Sequence, residues 1–260
     1  MPIPVVRRAS GLPALAAVAV LAITGCEAAP GKPAPEPSSP VLASESPSAS
    51  PPPATRPLTA AELVAAALPA EETPDAYGHP VSVRKSRAGG PKSEPSDPAC
   101  AQLLAAAHAR HVSRPTPVVA EQSFNWRNDL GSSHSTLASY GATGAQDAFR
   151  LITEGLSTCR YYESPAPAPA PAPAPTMTYK GTVTVGPAPR LGNEAVQFEV
   201  TAPTELGLHV TQYTVIRTGS VVATFTRQST AGLDERAFQP ALIAQQISLL
   251  QDAQLRPAPL

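Results

Sequence analysis

Proline decides where this chain can fold. Of the 260 residues 33 are proline, and about half of them gather in two tracts, near residues 30–57 and 164–175. Such tracts cannot build a packed core, because each ring removes a backbone donor and offers little apolar surface. What is left, about 190 residues, is the size of one ordinary domain. The formal net charge is −1, and losing Arg7 and Arg8 with a leader makes it −3. Neither value fits a nucleic-acid partner, and an aromatic content of 5% argues against a base-stacking surface.

Ahead of the first tract, Arg7 and Arg8 precede an apolar run from Gly11 to Ile23. That run is too short for a permanent membrane helix and fits the core of a signal peptide. It closes on Ile23-Thr24-Gly25-Cys26, which resembles the bacterial lipobox. The resemblance implies that residues 1–25 are a lipoprotein signal peptide cut just before Cys26. The Cys26 thiol then carries diacylglycerol and the chain gains palmitate-type acyl groups. Each buried methylene adds about 0.8 kcal/mol, so two or more chains anchor stably where one does not. An ordinary secretory leader with a chance cysteine is the plainer alternative. Ala9-Ser10-Gly11 lacks the apolar pair of a twin-arginine leader, and both export routes, Sec and twin-arginine, stay open.

Residues 26–57 are dominated by Pro, Ala, Ser and Glu without apolar periodicity, which reads as a disordered tether. Its reach lies between about 30 Å as a coil and about 100 Å as a polyproline rod. The expected placement is the extracytoplasmic face of the cell membrane, with the membrane as partner through the lipid.

The foldable part spans residues 58–256. Thr59 and Glu62 form a capping box, and Leu58 with Leu63 a hydrophobic staple, so a helix starts at Thr59. Residues 70–98 read as a surface loop with one short strand at 81–83. A second helix, Ala99 to about His111, carries Cys100, Leu103, Leu104 and Ala107 at helical spacing. Strands follow at 117–126 and 135–141. A third helix opens on the Thr143/Gln146 box, with Ala145, Ala148, Phe149, Ile152 and Leu156 on one face. Strands are expected at 159–162, 177–185 and 194–201, then a hairpin of 208–218 and 221–228 across Gly219. A closing helix begins near Pro240, with Ile243, Ile247 and Leu250 as its stripe. The Pro-Ala repeat at 164–175 is an expanded surface loop. The fold class is α+β: an antiparallel sheet with helices packed against it, in a single domain.

With Cys26 lipidated, Cys100 and Cys159 are an even pair in an oxidising compartment, which favours a structural disulfide. A redox-active pair would sit closer in sequence.

A helix bearing Cys100, a later helix followed by "CRYYE", then "GNEAVQFEV", the "VIRTGSVVATF" hairpin and the closing "ALIAQQISLL" helix resemble the PknH-like extracellular sensor domains of actinobacteria. The resemblance covers about residues 58–255, and the Ala- and Pro-rich composition is similar to actinobacterial surface proteins. It implies a central cleft and a sensing or ligand-binding role, with no catalytic residues to carry over. Members typically carry two disulfides, and this chain can form one.

The chemistry-bearing residues are few. His108 and His111 lie three apart on a helix without a third metal ligand of matching pattern, so a solvated helix end explains them and no metal is assigned. Ser132 to Ser135, with His134 among them, read as a polar loop beside a strand, since no G-x-S-x-G elbow exists. No phosphate-binding glycine loop is present and no cofactor is expected. Trp126, Tyr140, Tyr161 and Tyr213 are the candidate aromatic lining of a cleft, with core packing the alternative for Trp126. The sequence shows no constellation of converging ionisable groups, and no catalytic residue is assigned. The function expected is that of a non-enzymatic, lipid-anchored extracytoplasmic sensor or ligand-binding lipoprotein. Its partner would be a small molecule, a cell-wall fragment or a surface protein. A carrier of a lipid or other apolar envelope molecule, or an envelope enzyme, are the alternatives.

Overall fold

Along each strand of the sheet successive side chains face opposite ways, and this alternation builds two cores. The computed structural model describes residues 55–70, 76–85, 96–111, 113, 115–126, 132–165, 178–204, 207–230 and 238–257. Cys26, the leader, nearly all of the tether and residues 166–175 of the Pro-Ala repeat lie outside the described residues.

The elements run in order α1 (Ala60–Ala65), β1 (Ala76–Gly78), β2 (Ser82–Lys85), α2 (Pro98–Ala107), β3 (Val118–Trp126), β4 (Ser132–Ser139), α3 (Gly144–Thr158), β5 (Tyr161–Pro165), β6 (Thr178–Gly186), β7 (Glu194–Thr204), β8 (Gly207–Thr218), β9 (Val221–Thr230) and α4 (Pro240–Leu255). The nine strands form one antiparallel sheet in the order β1-β3-β4-β9-β8-β7-β6-β5, with β2 also paired to β3. The expected α+β architecture, an antiparallel sheet with packed helices, is the one observed.

Successive side chains on a strand point to opposite faces. Ala120, Phe124, Leu137, Ile216, Ala223 and Phe225 pack on one face with Leu63 of α1 and Leu242, Ile243, Ile247 and Leu250 of α4. Val119, Ala138, Phe198, Val200, Val215 and Val222 pack on the other with Leu103 of α2 and the α3 stripe Ala145, Ala148, Phe149, Ile152 and Leu156. The sheet is thus covered by one helix pair on each side.

Local signals explain most boundaries. The Thr59–Glu62 capping box forms in full, and Leu58 and Leu63 are both buried. The two-residue β8–β9 turn places Gly219 at φ 53°, as a primed hairpin turn requires. At the end of α1 two buried glutamines replace the missing helical partners: Gln246 accepts from the Leu68 amide and donates to the Ala66 carbonyl, and Gln122 donates to the Leu68 carbonyl.

Four local expectations differ. Thr143 is the first-residue cap of α3, but its hydroxyl donates to Asp147 rather than capping the helix; its ψ of 2° keeps it out of the extended geometry a cap needs. The polar stretch from Ser132 to Ser135 is the start of β4 and not a loop, since its polar side chains pair along β3 and β9. The strand expected at 81–83 begins one residue later, and β1 was not foreseen. Helix α2 stops at Ala107 rather than His111. There Ala109 turns left-handed at φ 51°, with Arg110 N–H bonded to the Ala105 carbonyl and Ala109 N–H to that of Ala106. These are the two bonds of a Schellman motif.

Candidate functional site

The face of the sheet carrying α2 and α3 is only part covered. Where β2, β3, β4, β9 and β8 run beyond the end of α2, their side chains line an open cleft of about 370 Å³. The volume falls within the range of small-molecule sites. Its floor comes from parity: Glu121 and Ser123 of β3, His134 and Thr136 of β4, Thr226 and Gln228 of β9, and Thr211 and Tyr213 of β8. Its wall includes His108 and Arg110 at the Schellman turn, and Pro80 and Ser82 also line it. Pro80 is the one apolar member.

The floor is an ordered row. Ser123 is the direct cross-strand partner of His134, His134 of Thr226, and Thr226 of Tyr213. With neighbouring strands about 4.8 Å apart, the row spans about 14 Å. Within it the Ser123 Oγ and His134 Nδ1 lie 3.1 Å apart. The His108 Nε2 and Tyr213 hydroxyl lie 3.2 Å apart, pinning the end of α2 to β8. Arg84 of β2 grips Glu121 with both arms of its guanidinium, at 2.8 and 2.6 Å, and reaches the His108 carbonyl at 3.5 Å.

Protonation follows from this packing. Burial pulls the His108 imidazole down to about 4, with Arg110 pushing the same way. Burial also lowers His134, against an opposing pull from Glu121. Both are neutral at pH 7. The Glu121 carboxyl is lowered chiefly by Arg84, and burial raises Tyr213, which stays a phenol. The cleft therefore does gather ionisable groups with shifted protonation, contrary to the reading from sequence. They sit at 84, 108, 121, 134 and 213, too scattered along the chain to register as a motif.

Of the four candidate aromatics, Tyr213 alone lines the cleft. Trp126 shares parity with Phe124 and faces the other core, stacked on Phe124 and edge-to-face with Phe238, its Nε1 donating to Ser133 Oγ at 2.6 Å. Tyr140 is wholly buried in the α2/α3 core and stacks on His111. Tyr161 stands on the edge strand β5, 75% exposed. The Tyr213 ring is itself stacked on Phe198 at 4.6 Å, so what it presents to the cleft is its hydroxyl. Cys100 and Cys159 are joined, linking the first turn of α2 to the end of α3. Among the described residues no three His, Cys, Asp or Glu side chains gather as a metal site would require. Glu121, Ser123, Thr136 and Thr226 were missed from sequence, and His134 was set aside as part of a polar loop. The available signal was polar side chains on the alternate positions of β3 and β4, where a strand packed on both faces would be apolar.

In fold the chain is similar to the extracellular domain of PknH from Mycobacterium tuberculosis. The TM-score is 0.50 over 77% of this chain and 98% of that one, at 12% sequence identity. A putative uncharacterized protein from Mycobacterium smegmatis aligns with a TM-score of 0.36 over 70% of this chain and 88% of that one, at 11% identity. No protein-family model matches the chain and no curated protein matches its sequence.

Proposed function

We propose that the chain is an extracytoplasmic binding protein, tethered to the membrane by lipid on Cys26, that captures a small polar ligand in the cleft. The observation that carries this reading is the cleft itself, a concave site on a rigid sheet whose lining is polar at every position but Pro80. The likeness of fold to an extracellular domain and the Cys100–Cys159 bridge support an oxidising location outside the cytoplasm. The lining speaks against the lipid-carrier alternative, which needs a dry apolar cavity.

A catalytic reading has one observation in its favour, the Ser123–His134 contact. A hydrolytic triad also needs a carboxylate orienting the imidazole, and Glu121 is held by Arg84 instead. Binding is the better account.

The test is a ligand-observed NMR screen of the purified full chain against a diverse library of polar small molecules, alongside native mass spectrometry of chain isolated from its host. The expected result is a ligand whose binding shifts resonances on β3, β4, β8 and β9 and is weakened by His134→Ala. A bare, unchanging mass and an empty screen overturn the reading. Lipid anchoring is read separately, as the acyl mass on an N-terminal Cys26.

A further inference from the structure

The charges of the cleft do not cancel. Arg84 and Glu121 neutralise each other in a two-armed ion pair, and the imidazoles of His108 and His134 are neutral, each offering one donor and one acceptor. That leaves Arg110. Its backbone is fixed by the Schellman turn, its side chain lines the cleft, and among the described residues its guanidinium has no ion-pair or hydrogen-bond partner. A guanidinium held beside a partly buried cavity without a partner is matched by a carboxylate or phosphate, which it can take in two-armed fashion.

The floor adds a second requirement. Thr136 and Thr226 are 8% and 6% exposed, yet both line the cleft and neither hydroxyl is hydrogen-bonded to a described residue. Polar groups this enclosed are normally satisfied, and the partners left for them are water or a ligand's own hydroxyls. The Tyr213 hydroxyl and Ser123 Oγ close the same row at its two ends. No open aromatic face is offered, because Tyr213 is stacked on Phe198. Recognition by ring stacking is therefore not what this cleft provides, and a cation would meet the unpaired positive charge of Arg110.

We propose that the cleft takes a small polyhydroxylated anion, a sugar acid or sugar phosphate, with its charge on Arg110 and its hydroxyls along the Ser123–His134–Thr226–Tyr213 row. This rests on the ligand-binding reading above and narrows it to one class. The about 14 Å width of the row suits one or two sugar rings.

The experiment is calorimetric titration of the purified full chain with glucuronate, glucose 6-phosphate and glucose. Expected is binding of at least one anion, with glucose weaker by about tenfold or more, the scale of a charge-assisted contact. Which anion binds tighter separates a carboxylate source from a phosphate one. Arg110→Gln should remove that preference and Arg110→Lys should restore part of it. Since the Arg110 side chain bonds to none of the described residues, both variants should melt with the parent. Glucose binding as tightly as the anions, or an Arg110→Gln variant that keeps the preference, overturns this inference and leaves the ligand-binding reading standing. If none of the three binds while the polar library yields another cleft ligand, the inference again fails alone. If the library is empty too, both fail.

Discussion

Acid should destabilise this domain well before its carboxylates protonate, and the cleft is the reason. An imidazole in the unfolded chain titrates near 6.5, whereas burial against the end of α2 holds folded His108 at about 4. Protons then bind the unfolded state first, so the folded state loses stability as pH falls from 6.5 toward 4. Between pH 7.5 and 4.5 that difference amounts to about 2–3 kcal/mol from His108 alone. His134 and His111 are lowered by burial as well and act in the same sense. The carboxylates do not confuse this window. Glu62 is held at about 2, chiefly by Arg56, and Glu121 is lowered by Arg84, so both lose their stabilising effect only at lower pH. Urea denaturation at intervals from pH 7.5 to 4.5 gives the slope. His108→Gln keeps a polar group able to donate to or accept from the Tyr213 hydroxyl and removes the titration, so its curve should be flatter by the His108 share. Observation of His108 titrating near 6.5 by NMR, or a parent curve that is level across the window, would refute the reasoning.

Gln246→Leu should cost about 2–4 kcal/mol in the same denaturation assay, because it strands the Leu68 N–H and the Ala66 carbonyl in the core; a loss under about 0.5 kcal/mol would mean that water reaches them. Gly155→Val should cost about 1–3 kcal/mol. A Cβ there meets the Leu103 Cβ at 2.7 Å and the Ala99 carbonyl at 3.2 Å, which forces α2 and α3 apart, and thermal melting will show whether they yield.

The fold was largely legible, and the cleft was not. The α3 stripe, the Thr59–Glu62 box and the Gly219 turn are local signals, written in residues a few positions apart, and each has a direct physical reading. Thr143 shows the limit of such signals: the sequence pattern of a box was present, but the backbone turned and the hydroxyl found Asp147. The cleft is made of the opposite kind of information. Ser123, His134, Thr226 and Tyr213 become neighbours only through the register of four strands, and that register depends on which strand lies beside which. The aromatics misled for the same reason. Trp126 and Ser123 are three residues apart in one strand, so they face opposite ways, and parity sent the indole into the core. Gln246 was hidden differently: a polar residue inside an apolar helical stripe reads as a flaw until the end of α1 is laid against it.

The cleft wall is the C-terminal end of a ten-residue helix, a length that is marginal in water by itself. Besides its buried face and the Arg84 contact, three things hold it: the Tyr213 contact of His108, the close approach of Gly155, and the Cys100–Cys159 bridge at its first turn. The bridge closes a separation of 59 residues, which the chain-entropy account converts to about 4 kcal/mol, all acting on the unfolded state. If that account is complete, replacing both cysteines by serine weakens every part of the folded domain alike. If the bridge also anchors α2 in the native state, the end of the helix opens on its own. Amide hydrogen exchange separates the two. In the Cys100→Ser/Cys159→Ser variant, the amides of His108 to Arg110 should lose more protection than those of β8 and β9, through a local opening of lower free energy than global unfolding. A uniform loss across α2, β8 and β9 would place the bridge's whole effect in the unfolded chain and leave the cleft wall standing without it.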